Sequence, residues 1–218
     1  RNRLVRRQTD EKNALRKYLL QCNLKGPRTI DAPSLARWLS AQEHKLPEHT
    51  AATAWDIADQ LAVFERQQAR IERTIAKRVR DLQPWKRLVE ILDSLPGVGD
   101  IVAWTLIAEI EDFTRFDRAE QLVNYVGLDP RVFQSDKTVR HGKVAKQGPR
   151  DARWALQQAA WVAVVHDRRC QLIYDRIRAR SGKKKAAVAV ARKLLVWAYH
   201  LVKRNQLYHP NQAWTATG

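Results

Sequence analysis

Residues 88–110 read LVEILDSLPGVGDIVAWTLIAEI: two apolar, helical-looking stretches joined by Leu95-Pro96-Gly97-Val98-Gly99. Pro96 opens the joint because its φ is already near the value a turn requires. Gly97 and Gly99 admit positive φ and let another backbone, or a phosphate, approach closely. The first N–H groups of the second helix are then free to bind an anion. The segment reads as a helix-hairpin-helix at about 88–111, with Gly97 and Gly99 as nucleic-acid contacts. The plainer alternative is an αα-corner capped by glycine.

The rest of the chain is helical by the same periodicity test. Residues 1–22 form one helix whose first half is basic (Arg1, Arg3, Arg6, Arg7). Residues 23–50, with Pro27, Pro33 and Pro47, hold loops around a short helix near Ser34–Gln42. Over 51–82 the apolar positions Leu61, Phe64, Ile71, Ile75, Val79 and Leu82 make a narrow stripe among charges. Such a stripe suits a coiled coil, either with the first helix or with a second copy of the chain. Pro84 ends it. Helices follow at about 85–94, 100–111, 117–126, 150–166, 167–181 and 183–205, with 131–149 loop-like or weakly extended. On 150–166 Trp154, Ala155, Ala159, Trp161 and Val162 are expected to face inward. The expected fold is all-α: a long helical hairpin or coiled-coil region (1–84), then a compact helical domain (85–218).

Charge narrows the function. The net charge is +17, which points to a polyanionic partner. Residues 1–80 carry +8, residues 81–130 carry −6, and residues 131–218 carry +15. The hairpin therefore lies in the one acidic segment, whereas phosphate neutralisation supplies most non-specific affinity for DNA. The main electrostatic surface is expected in the last 88 residues. No apolar run is long enough to span a membrane. Cys22 and Cys170 have no second Cys or His at metal spacing and read as free thiols of a reducing cytosol. With no methionine and Arg1 at its start, the chain is expected to be a piece of a longer protein.

Two basic clusters stand out. One is Arg131, Lys137, Arg140, His141, Lys143, Lys146, Arg150 and Arg153 around the hydroxyls of Ser135 and Thr138. A hydroxyl attacking a phosphodiester must lose its proton, meet cations on the phosphoryl oxygens and be placed in line. Ser135 has the cations, and His141 is a proton acceptor; the alternative is a solvated basic loop without chemistry. The other cluster is Arg176, Arg178, Arg180, Lys183, Lys184 and Lys185, continuing at Arg192 and Lys193, a stripe suited to a phosphate backbone. The tryptophans read mostly as core. Glu109, Glu111, Asp112 and Asp117 are the carboxylates a metal site would need, and they read as helix-surface charge and caps, so no metal is expected here.

At these residues a family resemblance enters. LPGVGDIVAWTLIAEIEDFTRFDRAEQLVNYVGLDPRVFQS (95–135) resembles the C-terminal domain of the IS-one-ten insertion-sequence transposases, the bridge-RNA-guided DNA recombinases. GKVAKQGPRDARWALQQAAWVA (142–163) and KKKAAVAVARKLLVWAYHLV (183–202) resemble its later stretches, and residues 1–20 are similar to its first coiled-coil helix. The resemblance implies an N-terminal RuvC-like domain with an Asp-Glu-Asp-Asp site binding Mg²⁺, lying before residue 1, and a coiled coil mediating homo-oligomer assembly. It also implies a nucleophilic serine after the Gly-Leu-x-Pro turn, which falls on Ser135. DNA and guide RNA are the implied partners and the cytoplasm, on the nucleoid, the implied place. This part alone is expected to be inactive and to need no cofactor. Asp136 stands where the family has Gly, and Gln147 and Ala152 also depart from its pattern. Two other readings compete: a non-catalytic helix-hairpin-helix binding or assembly module, and a DNA glycosylase-like enzyme using Asp112 or Asp117.

Overall fold

The computed structural model describes residues 1–42, 46–135, 138–144 and 148–210; within 130–144 the description is of the backbone. Two compact units are present, Arg1–Arg78 and Val79–Gly218.

The first unit is built from α1 (Asn2–Gln21), α2 (Ala32–Ala41) and most of α3 (Glu48–Asp81). Arg1 bonds Glu72 at 2.6 Å, Gln8 bonds Gln68 at 2.9 Å and the Cys22 sulfur lies 3.8 Å from the Thr50 hydroxyl. As one number rises the other falls, so α1 and α3 run antiparallel within one chain. Leu15, Leu19, Leu35, Leu39, Ala54, Ile57, Ala58 and Leu61 form the core between α1, α2 and α3. Asp31 caps α2, its carboxylate accepting from the Ser34 N–H at 2.8 Å and the Ser34 hydroxyl at 3.0 Å. Of the expected α3 stripe only Leu61 is fully buried; Phe64, Ile71, Ile75 and Val79 are half-buried and Leu82 is exposed. Along the far half of the pair, glutamine, glutamate and arginine make the seam instead.

The second unit contains α4 (Gln83–Asp93), α5 (Asp100–Ile110), a 3-10 turn (Phe113–Arg115), α6 (Ala119–Val126), α7 (Arg150–His166), α8 (Arg168–Ser181) and α9 (Lys183–Arg204). Alpha-helix 9 is the axis: Val190, Leu194, Leu195, Trp197, Ala198 and Leu201 are buried as it packs against α4, α6, α7 and α8. The fold class is all-α with one exception. The extended alternative for residues 131–149 is the one the backbone takes: β1 (Pro130–Ser135) and β2 (Thr138–Val144) pair as an antiparallel hairpin between α6 and α7. Val132, Phe133, Thr138, Val139 and Val144 are β-formers, so the local preference agrees with the pairing.

Candidate nucleic-acid interface

The α4–α5 joint is tied into the core. Leu95 and Val98 are buried. Gly97 has φ +75°, and a Cβ there would overlap the Ala159 carbonyl oxygen and come within 2.8 Å of the Ala163 nitrogen on α7. Of the two close approaches its sequence allowed, a backbone takes the place at Gly97, not a phosphate. Gly99 differs. It is the N-cap of α5, has no side-chain cap, and a Cβ on it would meet nothing. Yet Asp100 stands in the first turn, and Asp93 is held above the ordinary carboxylate range, first by burial and then by the charge of Asp100. An anion at Gly99 would meet two carboxylates.

Asp112, one of the carboxylates considered for catalysis, caps the 3-10 turn. It accepts the Thr114 N–H and hydroxyl, each at 2.7 Å, and these bonds, the hydroxyl first, lower its pKa. Among the described residues no three of His, Cys, Asp and Glu are grouped to hold a metal ion.

The hairpin 130–144 is the second element, and its root is held in three ways. Arg153 of α7 donates to the carbonyls of Val126 and Gly148, both at 2.9 Å, so one guanidinium joins the chain before β1 to the chain after β2. Gly148, with φ +90°, lies so close to the Tyr125 carbonyl that no side chain fits. Asp129 pairs with Arg192 of α9 at 3.1 Å. Arg153 and Arg192, expected to face nucleic acid, therefore spend guanidinium bonds on the hairpin root.

Ser135 ends β1, paired with Thr138, in register with Gln134↔Val139, Phe133↔Arg140 and Val132↔His141. Arg131 and Lys143 are placed on the strands by their backbone. Asp136, Lys137, Lys146 and Gln147 lie outside the described residues.

The second basic cluster forms a corner. Arg176, Arg178 and Arg180 are exposed on α8, and Lys183, Lys184 and Lys185 make the exposed first turn of α9. The Gly182 N-cap offers no side-chain cap and the turn has no acidic residue, so three cations sit at the positive end of a 22-residue helix. That arrangement opposes folding and favours an anion. The corner lies on the hairpin side: Arg192 meets Asp129 at the hairpin root, while Tyr208, beyond α9, bonds Asp167, beyond α7, at 2.9 Å. Hence α9 runs beside α7 in the same direction, and its start lies at the end from which the hairpin rises. Lys185 and Arg192 are seven residues apart, two turns up one face and roughly 10 Å along the axis. Arg150, exposed at the start of α7, is at this end too.

The inward face expected of α7 is half right. Trp154, Trp161 and Val162 do not face inward: they are 43%, 43% and 47% exposed, and Trp55 and Trp85 are exposed as well. Alpha-helix 7 packs through Ala152, Ala155, Leu156, Ala159, Ala160 and Ala163. Small residues let it approach the Gly97 turn and α9, and the large ones are turned out. Ala155 and Ala159 do face inward as expected, and the bulky residues expected beside them do not.

No helix among the described residues is long and apolar enough to cross a membrane, and Cys22 and Cys170 are unbridged. The chain is 28% identical, over 96% of its length, to a "Probable family 20 transposase" of Pseudomonas aeruginosa. It is 32% identical over 54% of its length to the "Transposase for insertion sequence element IS1111A" of Coxiella burnetii, and 29% identical over 53% to the "Pilin gene-inverting protein" of Moraxella bovis. It spans 63%, 33% and 37% of those proteins. Residues 89–175, which run from α4 through the hairpin to α8, match the description "Transposase IS116/IS110/IS902 family". Through that segment the chain is similar to the insertion-sequence transposases of this family.

Proposed function

We propose that this chain is the C-terminal part of a DNA transposase, binding nucleic acid on the hairpin end of its second unit and supplying Ser135 as the nucleophile. The observation that carries the reading is the placement of Ser135 at the tip of a hairpin whose root is anchored to α6, α7 and α9, beside a basic corner that opposes its own helix dipole. An anchored root gives a projecting tip the repeatable placement that in-line attack needs. The Ser135 Oγ would lose its proton and bond to phosphorus, releasing a sugar hydroxyl. One ester replaces another, and return of the hydroxyl reseals the strand with Ser135 set free.

DNA is the substrate of this reading, with guide RNA as a second polyanion. A second copy of the chain is the assembly partner, which the half-buried stripe Phe64, Ile71 and Ile75 supports. Denaturing gels and peptide mapping of the complete transposase on its DNA test it. The expected result is a covalent adduct mapping to Ser135, absent in Ser135→Ala, with DNA binding kept. Undiminished strand exchange by Ser135→Ala would sink the assignment, leaving a non-catalytic binding module. The 218-residue chain alone, given Mg²⁺ and DNA, is expected to join no strands.

A further inference from the structure

We propose that the outer face of α7 is a stacking surface for unpaired nucleobases, with Trp154 and Trp161 as its two platforms. The idea rests on the nucleic-acid reading above and adds a site to it. Arg150, Trp154, Gln158, Trp161 and Val165 follow at spacings of four, four, three and four, so they form one line along the helix. All five are exposed, Val165 by 75%. The two indoles are seven residues apart, roughly 10 Å along the axis. Tyr174 of α8 sets its ring against Trp161 at 5.9 Å and 65°, which braces that indole from one side.

Charge selects the occupant. From Trp154 to Val165 the outward positions carry glutamine, tryptophan and valine and no carboxylate; the only acidic residue of α7 is Asp151 in its first turn. Arg150 stands one turn before Trp154. The turn at Asp167 and the Trp161–Tyr174 contact make α8 antiparallel to α7, which brings Arg178 and Arg180 toward the Trp154 end. A second copy of the chain would bring +15 against +15 over residues 131–218. A single strand brings phosphates for the arginines and open π-faces for the indoles, the combination that sequence-tolerant single-strand binders use. In a duplex the bases are stacked already and have no face to offer.

The test is fluorescence anisotropy of the 218-residue chain with a labelled oligo-dT strand and with a labelled duplex of equal length. Trp154→Ala and Trp161→Ala are expected to weaken single-strand binding about 5- to 150-fold each. Trp154→Phe and Trp161→Phe, which keep a ring and guard against misfolding, are expected to retain most of it. Duplex affinity should stay within about twofold for all four. Equal losses for strand and duplex, or no loss for the strand, would overturn the stacking surface. So would alanine variants that sediment as a smaller species than the parent, since a second copy would then be the occupant. If the unmodified chain binds neither oligonucleotide, the nucleic-acid reading itself fails, a different result from tryptophan variants that bind normally.

Discussion

Replacing Gly97 with alanine tests how the α4–α5 joint is built. The backbone there has φ +75°, which costs an L-residue about 1–2 kcal/mol. The new methyl would also overlap the Ala159 carbonyl oxygen and stand 2.8 Å from the Ala163 nitrogen, where ordinary contacts begin near 3.4 Å. Both neighbours are helix backbone, so neither can rotate away. The joint must retreat from α7 by about 1 Å, loosening Leu95, Val98, Ala159 and Ala163, all buried. Overpacking of this kind costs about 1–3 kcal/mol. The total is about 2–5 kcal/mol, a large share of a domain stability of about 5–15 kcal/mol. At roughly 3 °C per kcal/mol for a unit of this size, Tm should fall by about 6–15 °C. Gly99→Ala is the control: φ is −109° and the methyl meets nothing, so its stability should change by less than about 1 kcal/mol. Urea unfolding followed by circular dichroism measures both. A Gly97→Ala chain within 0.5 kcal/mol of the parent would show that α7 does not lie against the turn.

Three further outcomes are expected. Changing Lys183, Lys184 and Lys185 together to alanine should weaken binding to any DNA and reduce the salt slope of log K by about 2–3, while α9 becomes slightly more stable; lost stability would contradict the dipole argument. Tyr208→Phe removes the 2.9 Å bond to Asp167, whose carboxylate still accepts the Cys170 N–H, and should cost about 1–3 kcal/mol with faster amide exchange at 205–209; unchanged exchange there would refute the anchoring role. Asp31 has its pKa lowered chiefly by the Ser34 N–H bond, so the unfolded chain binds the proton more readily. Its capping contribution, about 1 kcal/mol, is then present above the ordinary aspartate range and lost as pH falls through the lowered value. The stability gap between the parent and Asp31→Ala should close in acid, as urea melts across pH 7 to 3 would show; a constant gap would remove the carboxylate from the cap.

The placement of the helices was legible because local patterns determine them. Pro84 and the Gly182 break bound α3 and α8, and apolar recurrence at three and four residues fills the helices between. The basic corner was legible as a run of lysines, because composition survives folding. The strand pair was less so: 131–149 mixes β-formers with Gly and Lys, and pairing depends on a partner segment and an anchored root. The inward face of α7 is legible in its alanines but not in its tryptophans, since periodicity finds two faces and does not say which one has a neighbour.

By itself, then, the sequence determined the helical class, the helix boundaries, the charge partition and the resemblance to an insertion-sequence transposase. These are properties of neighbouring residues and of totals. The tertiary structure alone decided that Gly97 receives the backbone of α7, that Arg153 and Arg192 secure the hairpin root, and that Trp154 and Trp161 look outward. Each depends on residues tens of positions apart arriving at one place, where close packing admits an alanine face and excludes an indole.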